Sequence, residues 1–147
     1  MARLLILGAL AWPAVLGAAW WDRAAHPGGT HSVWASVVYV AAGQVCHQLP
    51  ERSFHSHGAT WPVCARCAGL YLAAPFGALL FRRRIAKTMG GRSPAVVFAL
   101  AAVPTALTLV WEWAGLGTPS NLVRLVSALP LGAAILWILL TVTHRVD

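Results

Sequence analysis

The sequence predicts an all-α integral membrane protein, a helical bundle of four to five transmembrane helices with little mass outside the bilayer. Two observations carry this expectation. Apolar residues make up 59% of the 147 positions and charged residues only 10%, whereas a soluble domain carries about 25% charge. The apolar residues also gather into five runs, near 4–21, 33–49, 63–81, 95–113 and 122–143. Most of these approach the roughly 20 residues that a membrane helix needs. The length fits a single transmembrane domain over 1–147.

The first run, Leu4 to Trp21, contains Pro13, which a membrane helix tolerates when neighbours satisfy the freed carbonyl. A cleaved signal peptide is the rival reading, but only Arg3 precedes the run and no short apolar core is set off. The paired Trp20 and Trp21 read as anchors at a headgroup boundary, so the expectation is a retained helix. A polar stretch from Asp22 to Ser32 follows, and then the short run from Val33, which extends to Leu49 or forms a half-helix. The third run ends at Phe81, ahead of an arginine triplet, and the fourth carries Pro104. Gly115 to Asn121 reads as a tight turn from its Gly and Pro content. No internal repeat or low-complexity tract is evident.

Net charge is +7, but its placement excludes a nucleic-acid binder, which spreads charge over a solvated face. Arg82, Arg83, Arg84, Lys87 and Arg92 crowd one gap between apolar runs. By the positive-inside rule the 82–94 loop is cytoplasmic and the 50–62 loop exterior. Five spans then put the N-terminus outside, and a re-entrant second segment puts it inside. The partners expected are membrane lipids, with no nucleic acid.

The chemistry lies in Cys46-His47-Gln48-Leu49-Pro50-Glu51-Arg52-Ser53-Phe54 and in Pro62-Val63-Cys64-Ala65-Arg66-Cys67-Ala68-Gly69-Leu70-Tyr71, which together hold all three cysteines. Cys64 and Cys67 have the Cys-x-x-Cys spacing that lets two thiolates reach one tetrahedral ion. Cys46 and His47 complete a Cys₃His set for zinc or another thiophilic metal, although adjacent ligands on one ion are strained. His55 and His57 are alternative fourth ligands. Other readings stand beside this one: a redox-active or structural Cys64–Cys67 disulfide, and inert packing of cysteine as a small hydrophobe.

Charged residues near the membrane add candidates for catalysis or ligand binding: Glu51, Arg52, Arg66, Glu112 and Arg124. Arg66 sits between the two cysteines at the start of an apolar run. There it stabilises thiolates, binds an anion, pairs with Glu51 or Glu112, or snorkels to headgroups. Arg52, in a loop, reads as a solvated charge. Glu112, flanked by Trp111 and Trp113, is a candidate partner for Arg124, whose position at the start of the fifth run points it inward.

The runs CHQLPERSF and PVCARCAGLY resemble the motifs of the bacterial and archaeal membrane proteins called domain of unknown function 2085. The resemblance continues more weakly at Ser120-Asn121-Leu122-Val123-Arg124, similar to that family's Asn-x-x-Arg element. It implies a shared fold and a shared polar site, which argues against inert cysteines, and supplies no established activity. The family pattern places an Asp-Gly pair and then a Gln in the fourth helix. Here Thr108 and Leu109 stand where Asp-Gly falls, and Glu112 where the Gln falls. An acidic group is thus displaced by about one helical turn. His55 and His57 have no counterpart in the pattern.

The functional expectation is a membrane protein with a metal site at the exterior face, acting on or binding an anionic or lipid-linked ligand. The alternatives are a thiol–disulfide redox protein using Cys64 and Cys67, and a non-enzymatic subunit or transporter.

Overall fold

The computed structural model describes residues 2–26, 32–82 and 93–146. The predicted cytoplasmic loop therefore lies almost wholly outside the described residues. Within them the chain forms α1 (Ala2–Ala25), α2 (Val33–Gly43), a 3-10 turn (Pro50–Arg52), β1 (Ser53–Ser56), β2 (Ala59–Cys64), α3 (Ala65–Arg82), α4 (Pro94–Trp113) and α5 (Asn121–Val146). This is the expected helical membrane bundle, with one small sheet added.

Among the described residues three helices, α1, α4 and α5, are long and apolar enough to cross a bilayer. At 1.5 Å per residue, 20-residue α4 reaches about 30 Å, the thickness of the hydrocarbon core. Only 6% of its apolar window is buried within the protein, so Leu100, Val103, Leu107 and Val110 are left to face lipid. The 18-residue α3 reaches about 27 Å. By contrast α2 has 11 residues, about 16 Å, and is too short to span.

The second apolar run therefore does not continue as helix to Leu49. Past Gly43 the chain turns, and Gln48 takes a left-handed conformation, φ 49°. Its side-chain amide donates to the Tyr39 carbonyl and to the Pro62 carbonyl, both at 2.7 Å. One donor group thus serves backbone acceptors from the end of α2 and from β2.

The central pair is α3 against α5. A Cβ on Gly69 would collide with the Leu125 carbonyl, and one on Gly132 with the Leu70 backbone. Glycine and alanine at 69, 73 and 77 recur every fourth residue, the small-residue stripe that lets membrane helices approach closely. α4 packs on α5 through Val97, Ala134 and Trp137. α1 begins against Ala78, Leu136 and Leu140 and ends near Trp61, whose ring lies 5.7 Å from that of Trp20. It therefore runs alongside the central pair from one end of the bundle to the other.

Two caps fix the helix ends that matter for the site. α4 closes with Gly115 at φ 70°. The Gly115 N–H donates to the Glu112 carbonyl and the Leu116 N–H to that of Trp111, a Schellman arrangement. α5 opens with the Ser120 hydroxyl accepting from the Val123 N–H at 3.3 Å.

Candidate metal centre

The sheet unforeseen in the sequence positions the cysteines. β1 and β2 pair antiparallel, with Ser56 opposite Ala59 and Ser53 opposite Cys64. The two-residue loop between them is His57–Gly58, at φ 52° and 74°, the left-handed pair that a tight hairpin turn requires. β2 runs straight into α3, so the third element is strand at Val63–Cys64 and helix only from Ala65. Cys64 ends the strand and Cys67 lies in the first helical turn. Cys46 approaches from the segment after α2, and the Cys64 N–H donates to its Sγ at 3.1 Å.

The three sulfurs lie within 4.8 Å of one another, and all three cysteines are free. Cys46 is buried under Leu16, Ala42, Val63 and Ala68. The Cys64 pKa is lowered to about 5, chiefly because the Cys67 thiol hydrogen-bonds to its sulfur. Burial opposes the shift, while the backbone N–H groups of Cys67 and Arg66 and the Cys46 thiol add to it. A thiolate at the mouth of a helix is the soft, negative donor that a thiophilic cation needs. This cysteine cluster can hold a metal ion.

A second cluster lies beside the first. Glu112 Oε1 accepts from Arg52 Nη2 and Arg124 Nη2, each at 3.0 Å, and Oε2 accepts from Arg66 Nη2 at 3.0 Å. The Glu112, Arg66 and Arg124 side chains are largely buried, and that of Arg52 is 41% exposed. The Arg124 Nη1 also donates to Asn121 Oδ1 at 3.1 Å, and Asn121 Nδ2 donates to the Ser53 carbonyl at 2.9 Å. Buried Ser53 in turn donates its hydroxyl to the Leu49 carbonyl at 2.9 Å. A cavity of about 240 Å³ joins the two clusters, lined by Cys46, Cys64, Cys67, Arg52, Arg66 and Arg124 among others.

A model of the predicted membrane protein family DUF2085 matches residues 46–138, well over half of the chain. The chain belongs to that family. An uncharacterized protein of Methanothermobacter thermautotrophicus is 32% identical over 88 residues, covering 60% of this chain and 78% of that protein. An uncharacterized protein of Methanocaldococcus jannaschii is 35% identical over 60 residues, 39% of this chain. This chain spans only 38% of the length of the Methanocaldococcus protein. No solved structure matches.

The DUF2085 match begins at Cys46 and takes in every cysteine, Glu112 and the three arginines around it. Within this DUF2085 site the candidates fall unevenly. Arg52, expected as a solvated charge, reaches Glu112 because the 3-10 turn, closed by the Arg52 N–H on the Leu49 carbonyl at 3.0 Å, folds it back over the cavity. The Glu51 residue is exposed and contributes its carbonyl, which accepts from Arg124 Nη1 at 3.5 Å. His47 lines the cavity but stays outside the sulfur triad. His55 is exposed, and the His57 ring packs at 5.9 Å from that of Trp20, so neither joins the triad. Gln48, Ser53 and Asn121 escaped the sequence reading as site residues, although all three stand inside the motifs quoted for the resemblance.

Proposed function

We propose that the protein is a membrane metal-centre protein in which Cys46, Cys64 and Cys67 hold one thiophilic divalent ion, zinc by preference. The centre faces the exterior, beside a pocket for an anionic or lipid-linked ligand. The observation that carries this reading is the gathering of three cysteine sulfurs within 4.8 Å. Thiolates bound to zinc at about 2.3 Å in tetrahedral geometry lie roughly 3.8 Å apart, so closing on an ion takes about an ångström of movement. The soft donor set favours zinc over magnesium or calcium. Three protein ligands leave a fourth position, for which the adjoining cavity offers His47, water or the ligand. With that position open, zinc supplies Lewis acidity; with it filled by a protein donor, zinc is a structural rivet.

Exterior placement is supported by the charge asymmetry of the sequence. The site lies at the start of α3, and the five basic residues begin at its other end.

Elemental analysis of protein purified without added metal tests the reading. One equivalent of zinc per chain is expected, lost alike in Cys46→Ser, Cys64→Ser and Cys67→Ser. Metal-free protein with two thiols blocked until reduced would instead establish the thiol–disulfide reading, which the lowered pKa of Cys64 also serves.

A further inference from the structure

We infer that Arg52, Arg66 and Arg124 form a binding site for a terminal phosphoryl group, with Glu112 as the internal carboxylate that shares the three guanidiniums and yields part of them to the ligand. This deepens the anionic-ligand part of the proposed function and rests on it, but stands apart from the metal.

The charge balance points to an anion. Three guanidiniums share one carboxylate, which leaves two positive charges uncompensated by any ion pair among the described residues. A divalent ion held by three thiolates across the cavity carries one net negative charge, so an excess of positive charge remains. The largely buried Arg66 and Arg124 are costly unless they meet acceptors.

The acceptor count agrees. Arg66 Nε and Arg124 Nε are buried with no hydrogen-bond partner, and Arg124 is only 4% exposed. Guanidinium groups carry five donors each, and a single carboxylate with neighbouring carbonyl and amide oxygens does not use them. An oxygen-rich anion is the kind of partner that the two buried Nε donors can take.

Shape separates phosphoryl from carboxylate. The arginines come from three different elements: Arg52 from the 3-10 turn, Arg66 from α3 and Arg124 from α5. A carboxylate offers two coplanar oxygens, already spent in Glu112 on three partners. A terminal phosphoryl group offers three oxygens spread in space, one for each guanidinium, and planar forks suit such contacts better than ammonium groups do. The cavity of about 240 Å³ that these arginines line has room for such a group. Inorganic phosphate and a lipid phosphomonoester headgroup share this chemistry.

The test is calorimetric titration of the detergent-solubilised protein with inorganic phosphate, dioctanoyl phosphatidate, dioctanoyl phosphatidylcholine and acetate. Phosphate or phosphatidate should bind, with the choline lipid and acetate at least tenfold weaker. Binding of phosphate alone assigns a free-anion site, and binding of phosphatidate alone assigns a lipid headgroup site. Arg52→Gln, at the half-exposed position, should melt normally and bind roughly tenfold more weakly, as loss of one charge-assisted hydrogen bond implies. Arg66→Lys, which keeps the charge but loses the planar fork, should also bind roughly tenfold more weakly. Glu112→Gln, where it folds, should bind more tightly because the internal competitor is gone.

Titration repeated after chelation separates this inference from the metal reading: phosphate affinity that survives chelation supports the arginine site whatever the metal content proves to be. Affinity lost on chelation but intact in Arg52→Gln and Arg66→Lys would assign the anion to the metal and overturn the inference. So would absence of phosphate and phosphatidate binding at millimolar concentration, or acetate binding as tightly as phosphate.

Discussion

Arg66 touches two residues of α4 that lie one helical turn apart, Glu112 at 3.0 Å and Thr108 at 3.5 Å. Both positions face one guanidinium, so a carboxylate at either one stays within reach of Arg66. The double variant Thr108→Asp/Glu112→Gln should therefore recover the part of the stability that the Arg66 pair supplies. Glu112→Gln alone should cost about 3 kcal/mol, because it strands buried arginines. Thermal unfolding in detergent of both variants against the parent checks this, and equal destabilisation would refute the exchange.

The sulfur triad makes a prediction of its own. Removing metal with a chelator should lower the unfolding midpoint by an amount equivalent to about 3 kcal/mol at a hundredfold excess of metal over Kd. Cys46→Ser should be as damaging as Cys64→Ser. Once metal is stripped, the sign of the Cys64 shift sets its reactivity. Its pKa is lowered to about 5, so the thiolate is present above that pH and lost below it. Iodoacetamide should accordingly modify Cys64 at pH 6, where an ordinary thiol is almost fully protonated. Peptide mapping by mass spectrometry reads the site of modification.

Gln48 bridges the end of α2 and β2 through the Tyr39 and Pro62 carbonyls. Gln48→Ala should cost about 2 kcal/mol, since it leaves both acceptors short of a donor. It should also weaken metal affinity, because the bridge holds the Cys46 segment against the strand that carries Cys64. Competition with a chromogenic chelator measures the second effect, and an unchanged affinity would confine Gln48 to a structural role.

The close approach of α3 and α5 predicts that Gly132→Ala, whose Cβ would meet the Leu70 backbone, destabilises the bundle by about 1–3 kcal/mol. Gly8→Ala on α1, where nothing lies within 4 Å, should be neutral or slightly stabilising in a helix. Paired melting curves decide it.

Sidedness is open to labelling in intact cells. His55→Cys, exposed in the hairpin, should react with an impermeant maleimide above the background of the parent protein, and Thr88→Cys should not. The reverse pattern would invert the proposed orientation.

The long helices were legible in the sequence because hydropathy over 18 or more residues leaves few alternatives in a bilayer. The hairpin was not. Its strands are four and six residues long, β2 contains Pro62, and the turn is His-Gly rather than the stronger Asn-Gly signal. The early end of α2 was one of two readings that the short run allowed, and the choice between them depends on where the Gln48 side chain finds carbonyls. At the site, the cysteine grouping was readable from local spacing. The Arg66–Glu112 and Arg124–Glu112 pairs were among the alternatives weighed, since each residue sits at the end of an apolar run. The Arg52–Glu112 pair joins residues 60 positions apart through a turn, and nothing in the local sequence near Arg52 marks it.

Leu16 and Trp12 of α1 pack on the cluster that contains Cys46, yet α1 lies outside residues 46–138, where the family match falls. The reactive groups and the panel that shields them are thus encoded separately. Leu16, Trp12 and Val63 thus screen Cys46 from the α1 side, while the cavity lined by Cys46, Cys64 and Cys67 opens the cluster on the other. Trimming Leu16 to alanine would uncover Cys46 from a second direction and leave Cys46, Cys64 and Cys67 themselves unchanged, so peroxide should oxidise Cys46 faster in that variant.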